Sequence, residues 1–511
     1  MLAAMFEAML VLGRRRTGPL PGRISGSGRE DVSLRGRISS RMNNSPTRAG
    51  GSRAASSVRG RLPLEELAAD KRRLRRWIVK LAWPVAAEML MHTLTQIIDM
   101  MMVARLGAAA LAAVGLSFRP MFFVLSIFLG VGAGTTALVA RAMGRKEPEE
   151  ANSVAHQSVM ATIVLASLLA AGFWRLAPSI QGFMGAEPEV LLLGTSYMRA
   201  LAWGMVFMYT GNVATAALRG AGDTHTSMKV NLIANVLNVL LNYSLIFGHF
   251  GLPALGVLGA GIATSLARAF GGAVIVGLIL ARRLVITPPR RLLRFEPDIF
   301  ARVVRIGVPA TLERMLLSLG MVFHLRMVAS EGTIAVAAAT LAQNIEELSH
   351  MPSIGISVAA ATLVGQFLGH GRSDAAEASG RESVRLALTF MSSMGLLFVL
   401  FPTVWLRLYA PDPSLLPLAT VLLRWTGAAQ PFMAIAFVLA GALRGAGDTS
   451  SVMKATGVSM WGVRLGLTYV LLSRMGLGAP AAWAAMVVDT AFRAAMMVVV
   501  FRRGRWKTVK V

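Results

Sequence analysis

The sequence predicts an all-α membrane protein: twelve transmembrane helices in two six-helix lobes related by a pseudo-twofold along the membrane normal. Three observations carry this. The phrase Ala217-Leu218-Arg219-Gly220-Ala221-Gly222-Asp223-Thr224 returns letter for letter as Ala442-Leu443-Arg444-Gly445-Ala446-Gly447-Asp448-Thr449, so residue 217 recurs at 442, a displacement of 225. Hydrophobic residues make up 55% of the 511 and charged residues 15%, against roughly 25% charged in soluble domains; the mean hydropathy is +0.59. Apolar runs of about 20 residues recur along the chain, the length at which a helix crosses a bilayer.

The repetition extends well beyond the phrase. Pro84 matches Pro309, Glu88 matches Glu313, Gly107 matches Gly332 and Gly144 matches Gly369 at the same displacement. Further on, Ala269-Phe270 matches Ala491-Phe492, 222 positions later, and one short loop deletion explains the change. Each repeat holds six spans, and an even number keeps both repeats in one orientation. Within each phrase the paired glycines stop a helix, because glycine reaches the left-handed conformation cheaply. The Asp and Thr that follow can cap the next helix.

Residues 1–72 read as a basic tail, rich in Arg, Ser and Gly, that cannot bury a core and is expected to be disordered. It fits a polybasic cytoplasmic arm, an Arg-rich transit peptide, or sequence upstream of a later start such as Met42. A dispensable arm or a later start is the preferred expectation. Spans near 77–103, 110–140, 153–174, 190–218, 227–248 and 256–281 build the first lobe, 73–282. A linker, 283–301, precedes the second lobe, 302–503, with spans near 303–329, 334–366, 379–403, 416–443, 453–473 and 478–501. Residues 504–511 form a second basic tail.

Charge in the connections sets the orientation. Arg141, Arg145 and Lys146 follow span two, Arg282, Arg283, Arg290, Arg291 and Arg294 crowd the linker, and Arg502, Arg503 and Arg505 close the chain. The alternate connections, such as 249–255 and 330–333, are short and nearly uncharged. By the positive-inside rule both termini and the linker are cytoplasmic. The membrane expected is the plasma (inner) membrane, or an organelle membrane if the tail is a transit peptide. The net charge of +26 then reflects topology and lipid contact. A lipid bilayer and a small-molecule substrate are the expected partners, nucleic acid is not, and the chain is expected to work as a monomer.

Enzyme signals are missing: there is no His-Glu-x-x-His, no Gly-x-Ser-x-Gly and no phosphate loop with Gly-Lys-Ser/Thr. The Gly130-Val131-Gly132-Ala133-Gly134 cluster lies inside a span and suits close helix packing. Having no cysteine, the chain has no disulfide, thiolate metal site or cysteine nucleophile. No catalysis, resident metal or cofactor is expected.

Polar groups inside spans carry the functional information, because ionisable residues at membrane depth are costly and mark pathways. Glu88, His92, Thr95 and Asp99 in span one are spaced 4, 3 and 4, one helical face. Asn231, Asn235, Asn238 and Asn242 in span five repeat that spacing. Such a row either glues helices together or lines a polar cavity; it cannot face lipid unsatisfied. The second lobe differs. Glu313 repeats Glu88, but His324 stands where Asp99 would, and span eight carries Gln343, Asn344, Glu346, Glu347 and His350. Arg464 in span eleven and Asp489 in span twelve are candidates for an ion pair.

These residues resemble the multidrug and toxic compound extrusion (MATE) transporters. The likeness is carried by both repeated phrases, by Asp99 before Met100 to Gly107, by Leu363-Val364-Gly365-Gln366-Phe367-Leu368-Gly369, by Asn242 to Gly248 and by Gly259 to Thr264. It covers about residues 75–502 and implies two lobes in a V and export driven by inward sodium or proton flow. Its coupling cation (a proton, or Na⁺) would be held by Asp99, Asn238, Asn242 and Thr264. Asn242 stands where some members carry a second acid. Leu317 replaces an acid that some members carry in span seven, and span ten offers only Arg424, Thr426 and Gln430. The leading expectation is a secondary antiporter exporting amphipathic, often cationic, organic compounds. A lipid-linked precursor flippase of related architecture is the alternative, and a membrane enzyme or polybasic scaffold a more distant one. A reporter fused after Val511 should read as cytoplasmic; an external signal overturns the twelve-span topology.

Overall fold

A computed structural model describes residues 63–288, 295–409 and 412–509. The described residues form helices joined by short turns. The spans are Lys71–Ala104, Ala108–Gly144, Pro148–Phe183, Pro188–Ala221, Thr224–Phe247 and Gly256–Leu280, then Pro297–Ala329, Thr333–Gly369, Ser373–Leu400, Leu416–Gly445, the interrupted helix from Thr449, and Ala479–Arg503. Ten of these helices are long and apolar enough to cross a membrane by composition alone. Span one falls short because Glu88, His92 and Asp99 lower its hydropathy. Span eleven falls short because it is divided: Thr449–Gly457 passes into a π segment, Val458–Arg464, then Leu465–Tyr469 and a second π segment, Val470–Arg474.

The expected boundaries shift at three places. Residues 1–62 of the basic tail lie outside the described residues, but Leu64–Ala69 forms a helix whose Leu67 is fully buried. Helical structure therefore reaches back to Leu64, inside the stretch 1–72 expected to be tail. The linker is shorter than 283–301, since span seven starts at Pro297, and the linker is tied down where the backbone NH of Thr287 donates to Asn152 Oδ1 at 2.8 Å. The 504–511 tail is not free either: Trp506 is buried and stacks on Phe501 at 4.8 Å. Arg290, Arg291 and Arg294 lie outside the described residues.

Both repeated phrases make the turns that their glycines demand. Gly222 and Gly447 have φ of +92° and +87°, a conformation that side chains on L residues resist. Asp223 caps the next helix by accepting from the NH of Thr226 at 3.0 Å, and Asp448 does the same for Ser451 at 3.2 Å.

The first lobe closes through spans two, three and six packed on four and through one and six on five; the second through eight, nine and twelve packed on ten and eleven on seven. Between lobes, span one packs on eight and two on seven, with two and eight crossing at the centre. These contacts obey the pseudo-twofold residue by residue. A Cβ added to Gly144 would lie 2.0 Å from the Gln366 carbonyl oxygen, and one added to Gly369 would lie 2.1 Å from that of Arg141. Both members of one contact are displaced by 225 from those of the other. Backbone thus lies on backbone where the lobes meet, which only glycine allows.

Each repeated turn is also held by the opposite lobe. Gln366 Nε2 donates to the Gly220 carbonyl at 2.9 Å, and Arg141 Nη2 donates to the Ala446 carbonyl at 3.1 Å. Two cross-lobe ion pairs, Arg75–Glu382 at 2.7 Å and Arg302–Glu150 at 2.9 Å, flank this seam. The Arg-rich connections therefore gather at one end, called here the basic end, where the lobes are closed on each other. Ala140, fully buried beside the seam, offers a test in a chain without other cysteines. Ala140→Cys should be inert to a maleimide, and adding Gly369→Leu should make it react, because the seam can no longer close. Equal inertness in both would show that the glycine contact is not needed.

Candidate functional site

In each lobe the first span is fastened to the repeated turn by a buried ion pair. Arg219 Nη2 lies 2.7 Å from Glu88 Oε1, and Arg444 holds Glu313 at both carboxylate oxygens, at 2.9 and 3.2 Å. The pairs are pseudo-twofold mates. All four residues repeat at one displacement in the sequence, a signal that could have paired them; sequence reasoning noted the repetition and left the arginines without partners.

In the first lobe, the polar faces of spans one and five meet. Asn231 Nδ2 donates to Glu88 Oε1 at 2.8 Å, and Asn242 Nδ2 donates to Asp99 Oδ1 at 2.6 Å. The hydrogen-bond network turns the Asn238 amide nitrogen toward Asp99, 3.0 and 3.2 Å from its two oxygens. The other end of that amide is 3.4 Å from Thr264 Oγ1 on span six. Asp99, Asn238, Asn242 and Thr264 therefore form one cluster drawn from three helices. Asn238 and Asn242 are fully buried, while Asp99 and Thr264 remain partly accessible.

The remaining residues of the two faces do different things. Thr95 turns back on its own helix, donating to the Met91 carbonyl at 2.8 Å. His92 lies near Gln96 and within electrostatic reach of Arg268. Asn235 is buried with neither amide atom bonded to protein, and Glu88 Oε2 and Asn242 Oδ1 also lack protein partners. Unpaired buried polar atoms are unusual, and these three residues stand on the facing sides of spans one and five.

The second lobe is sealed instead. Asp489 is fully buried, forms an ion pair with Arg464 at 3.0 Å, and accepts from Arg493 at 2.6 Å and from the Ser459 hydroxyl. The expected Arg464–Asp489 pair thus forms, with Arg493 as a third member that its spacing of four from Asp489 could have revealed. Arg464 ends the first π segment, where the helix widening sets its side chain against span twelve. His324 lies 3.4 Å from Thr468 Oγ1. In span eight, Glu346 is buried 3.5 Å from His350, Ser349 bonds Gln430 at 3.0 Å, and Glu347 is exposed. Gln343 joins none of these groups by a hydrogen bond.

The MatE family model matches residues 84–244 and again 309–470. The two matches begin 225 positions apart, the displacement of the repeat. The chain belongs to the MatE family. Among curated proteins, a probable multidrug resistance protein NorM from Thermotoga maritima is 31% identical over 451 residues, 87% of this chain and 95% of that one. Solved structures share the MatE fold. A MOP-superfamily transporter from Pyrococcus furiosus superposes with a TM-score of 0.81 at 23% identity, covering 88% of this chain and 99% of that one. A MATE transporter crystallised with MaL6 gives 0.80 at 24%, covering 88% and 98%. The two-lobe, multi-pass membrane architecture follows.

This MatE chain builds two lobes on one frame and gives them opposite polar content. Both keep the Glu–Arg fastener; among the described residues only the first has a carboxylate held by amides. Removing one partner of a buried pair strands a charge, at about 3 kcal/mol or more. Glu88→Gln and Glu313→Gln should each lower thermal stability in detergent by about that much, read by scanning fluorimetry. Unchanged melting in both would show that the fasteners do not hold the spans.

Proposed function

We propose that the chain is a secondary active exporter of amphipathic, often cationic, organic compounds, driven by inward flow of protons or sodium ions through the first lobe. One observation carries this reading. Glu88, Glu313 and Asp489 are each held by arginine, whereas Asp99 is bonded by neutral amides alone. Such a carboxylate can take up or release a cation without breaking an ion pair.

Asp99 supplies the charge, and Asn238, Asn242 and Thr264 supply oxygens that fit an incoming sodium ion once the amides turn. The amide nitrogens of Asn238 and Asn242 point at the carboxylate. A proton needs only the carboxylate. Binding of either removes the negative charge that a cationic substrate would seek, so substrate and coupling cation compete. Two-state rocking of the lobes about the basic-end seam then gives alternating access. The multidrug resistance names of NorM relatives support export of varied organic compounds. The positive-inside rule supports a cytoplasmic basic end in the plasma membrane, and a monomer holds every residue of the cluster.

Purified protein in liposomes should move a cationic dye under a proton gradient alone or a sodium gradient alone. Asp99→Asn keeps shape and hydrogen bonding but removes the charge. It should insert normally and lose gradient-driven export, whereas Glu88→Gln should retain more of it. Export by Asp99→Asn at the parental rate sinks the first-lobe coupling scheme.

A further inference from the structure

Arg268 stands on span six four residues after Thr264, so it shares a face with the Asp99 cluster one helical turn away, about 5 Å. Its charge acts on His92, Asp99 and Glu88. It lines a small polar cavity with Asn212 and Asn231, beside the crossing of Gly211 and Gly272. Among the described residues it makes no hydrogen bond and no ion pair. An arginine at membrane depth is costly and normally paired, so an unbonded one facing a carboxylate calls for a role.

Counting charges supplies it. Glu88 is matched by Arg219 at 2.7 Å. The charged and titratable groups within electrostatic reach of Asp99 are then Tyr197 on span four and Arg268 on span six, with His92 on its own span near Arg268, while span five presents amides. One unmatched acid, Asp99, and one unmatched base, Arg268, remain. The chamber is neutral with nothing bound at Asp99.

We propose that Arg268 is a tethered counter-charge that competes with the coupling cation for Asp99 and so sets the cation affinity of the site. This rests on the reading of Asp99 as the coupling carboxylate. When a proton or sodium ion reaches Asp99, the chamber becomes positive by one charge, and the guanidinium moves away along span six. Glu88, whose charge already acts on Arg268, keeps a buried Oε2 without a protein partner, an acceptor for the displaced guanidinium. When the cation leaves, Arg268 returns to balance Asp99. The exchange lowers affinity for the cation and hastens its release.

The test uses the full chain in liposomes, with a cationic dye as substrate and protons alone or sodium alone as the driving ion. The half-saturating concentration of whichever cation drives export is measured for the parent, Arg268→Gln, Arg268→Met, Arg268→Lys and Asp99→Asn. Arg268→Gln and Arg268→Met should each lower it about tenfold, the loss of one nearby opposing charge, and Arg268→Lys should stay near the parent. A structural role would reduce stability or maximal rate without that pattern. An unchanged half-saturating concentration in both charge-removing variants overturns the counter-charge, and leaves the coupling carboxylate standing if Asp99→Asn has lost cation dependence. Parental cation dependence in Asp99→Asn overturns both.

Discussion

The interaction on which the rest depends is the buried Glu–Arg pair repeated in each lobe. Span one and span seven carry acids that water would otherwise solvate, and membrane depth gives them no water. Arg219 and Arg444 answer them from the last turn before the glycine stop. The repeated phrase is therefore an assembled part: the arginine fixes the first span of its own lobe, the glycines end the helix, the aspartate begins the next one, and the turn's carbonyls accept from the opposite lobe. The letters divide the helix ends, the lobe core and the seam among them, a physical reason for two identical copies within one chain.

On this shared frame the lobes diverge by what surrounds their other acids. Asp489 is neutralised by two arginines and a hydroxyl, which leaves it no capacity for a mobile ion. Asp99 is solvated by amides, which favour its charge modestly and can present oxygen or nitrogen by rotating. The fold is twofold symmetric while the chemistry is one-sided. Duplication supplied two equivalent frames, and the polar residues around Asp99 and Asp489 set them apart.

Much of this was legible in the sequence because a period cannot hide. The displacement of 225 located both lobes, the paired turns and the axis relating them, and the 4, 3, 4 spacing placed the span-one and span-five faces against each other. What escaped has physical causes. The π segments of span eleven leave no compositional trace, since they arise where packing against spans seven and twelve widens the helix. Arg268 sits in an otherwise apolar run, and nothing local says which way it faces. The ordered helix at Leu64–Ala69 was absorbed into its basic surroundings, although Leu64 and Leu67 are spaced to cover one face. Gln343 had the right residue type, but it makes no hydrogen bond to the groups that its neighbours Glu346 and His350 form.

The glycine seam at the basic end has a kinetic consequence. Gly144 on Gln366 and Gly369 on Arg141 bring main chain against main chain, with almost no side-chain freedom frozen on contact. Closing it costs little rotamer entropy, and opening it releases little. The barrier between closed and open states is then set by the few polar latches around the seam rather than by repacking of a core. Because each contact has a twin across the axis, tilting the lobes apart strains both members at once. The basic end should part as a single cooperative event, with a molecule unzipped on one side only as a short-lived excursion and not a resting intermediate.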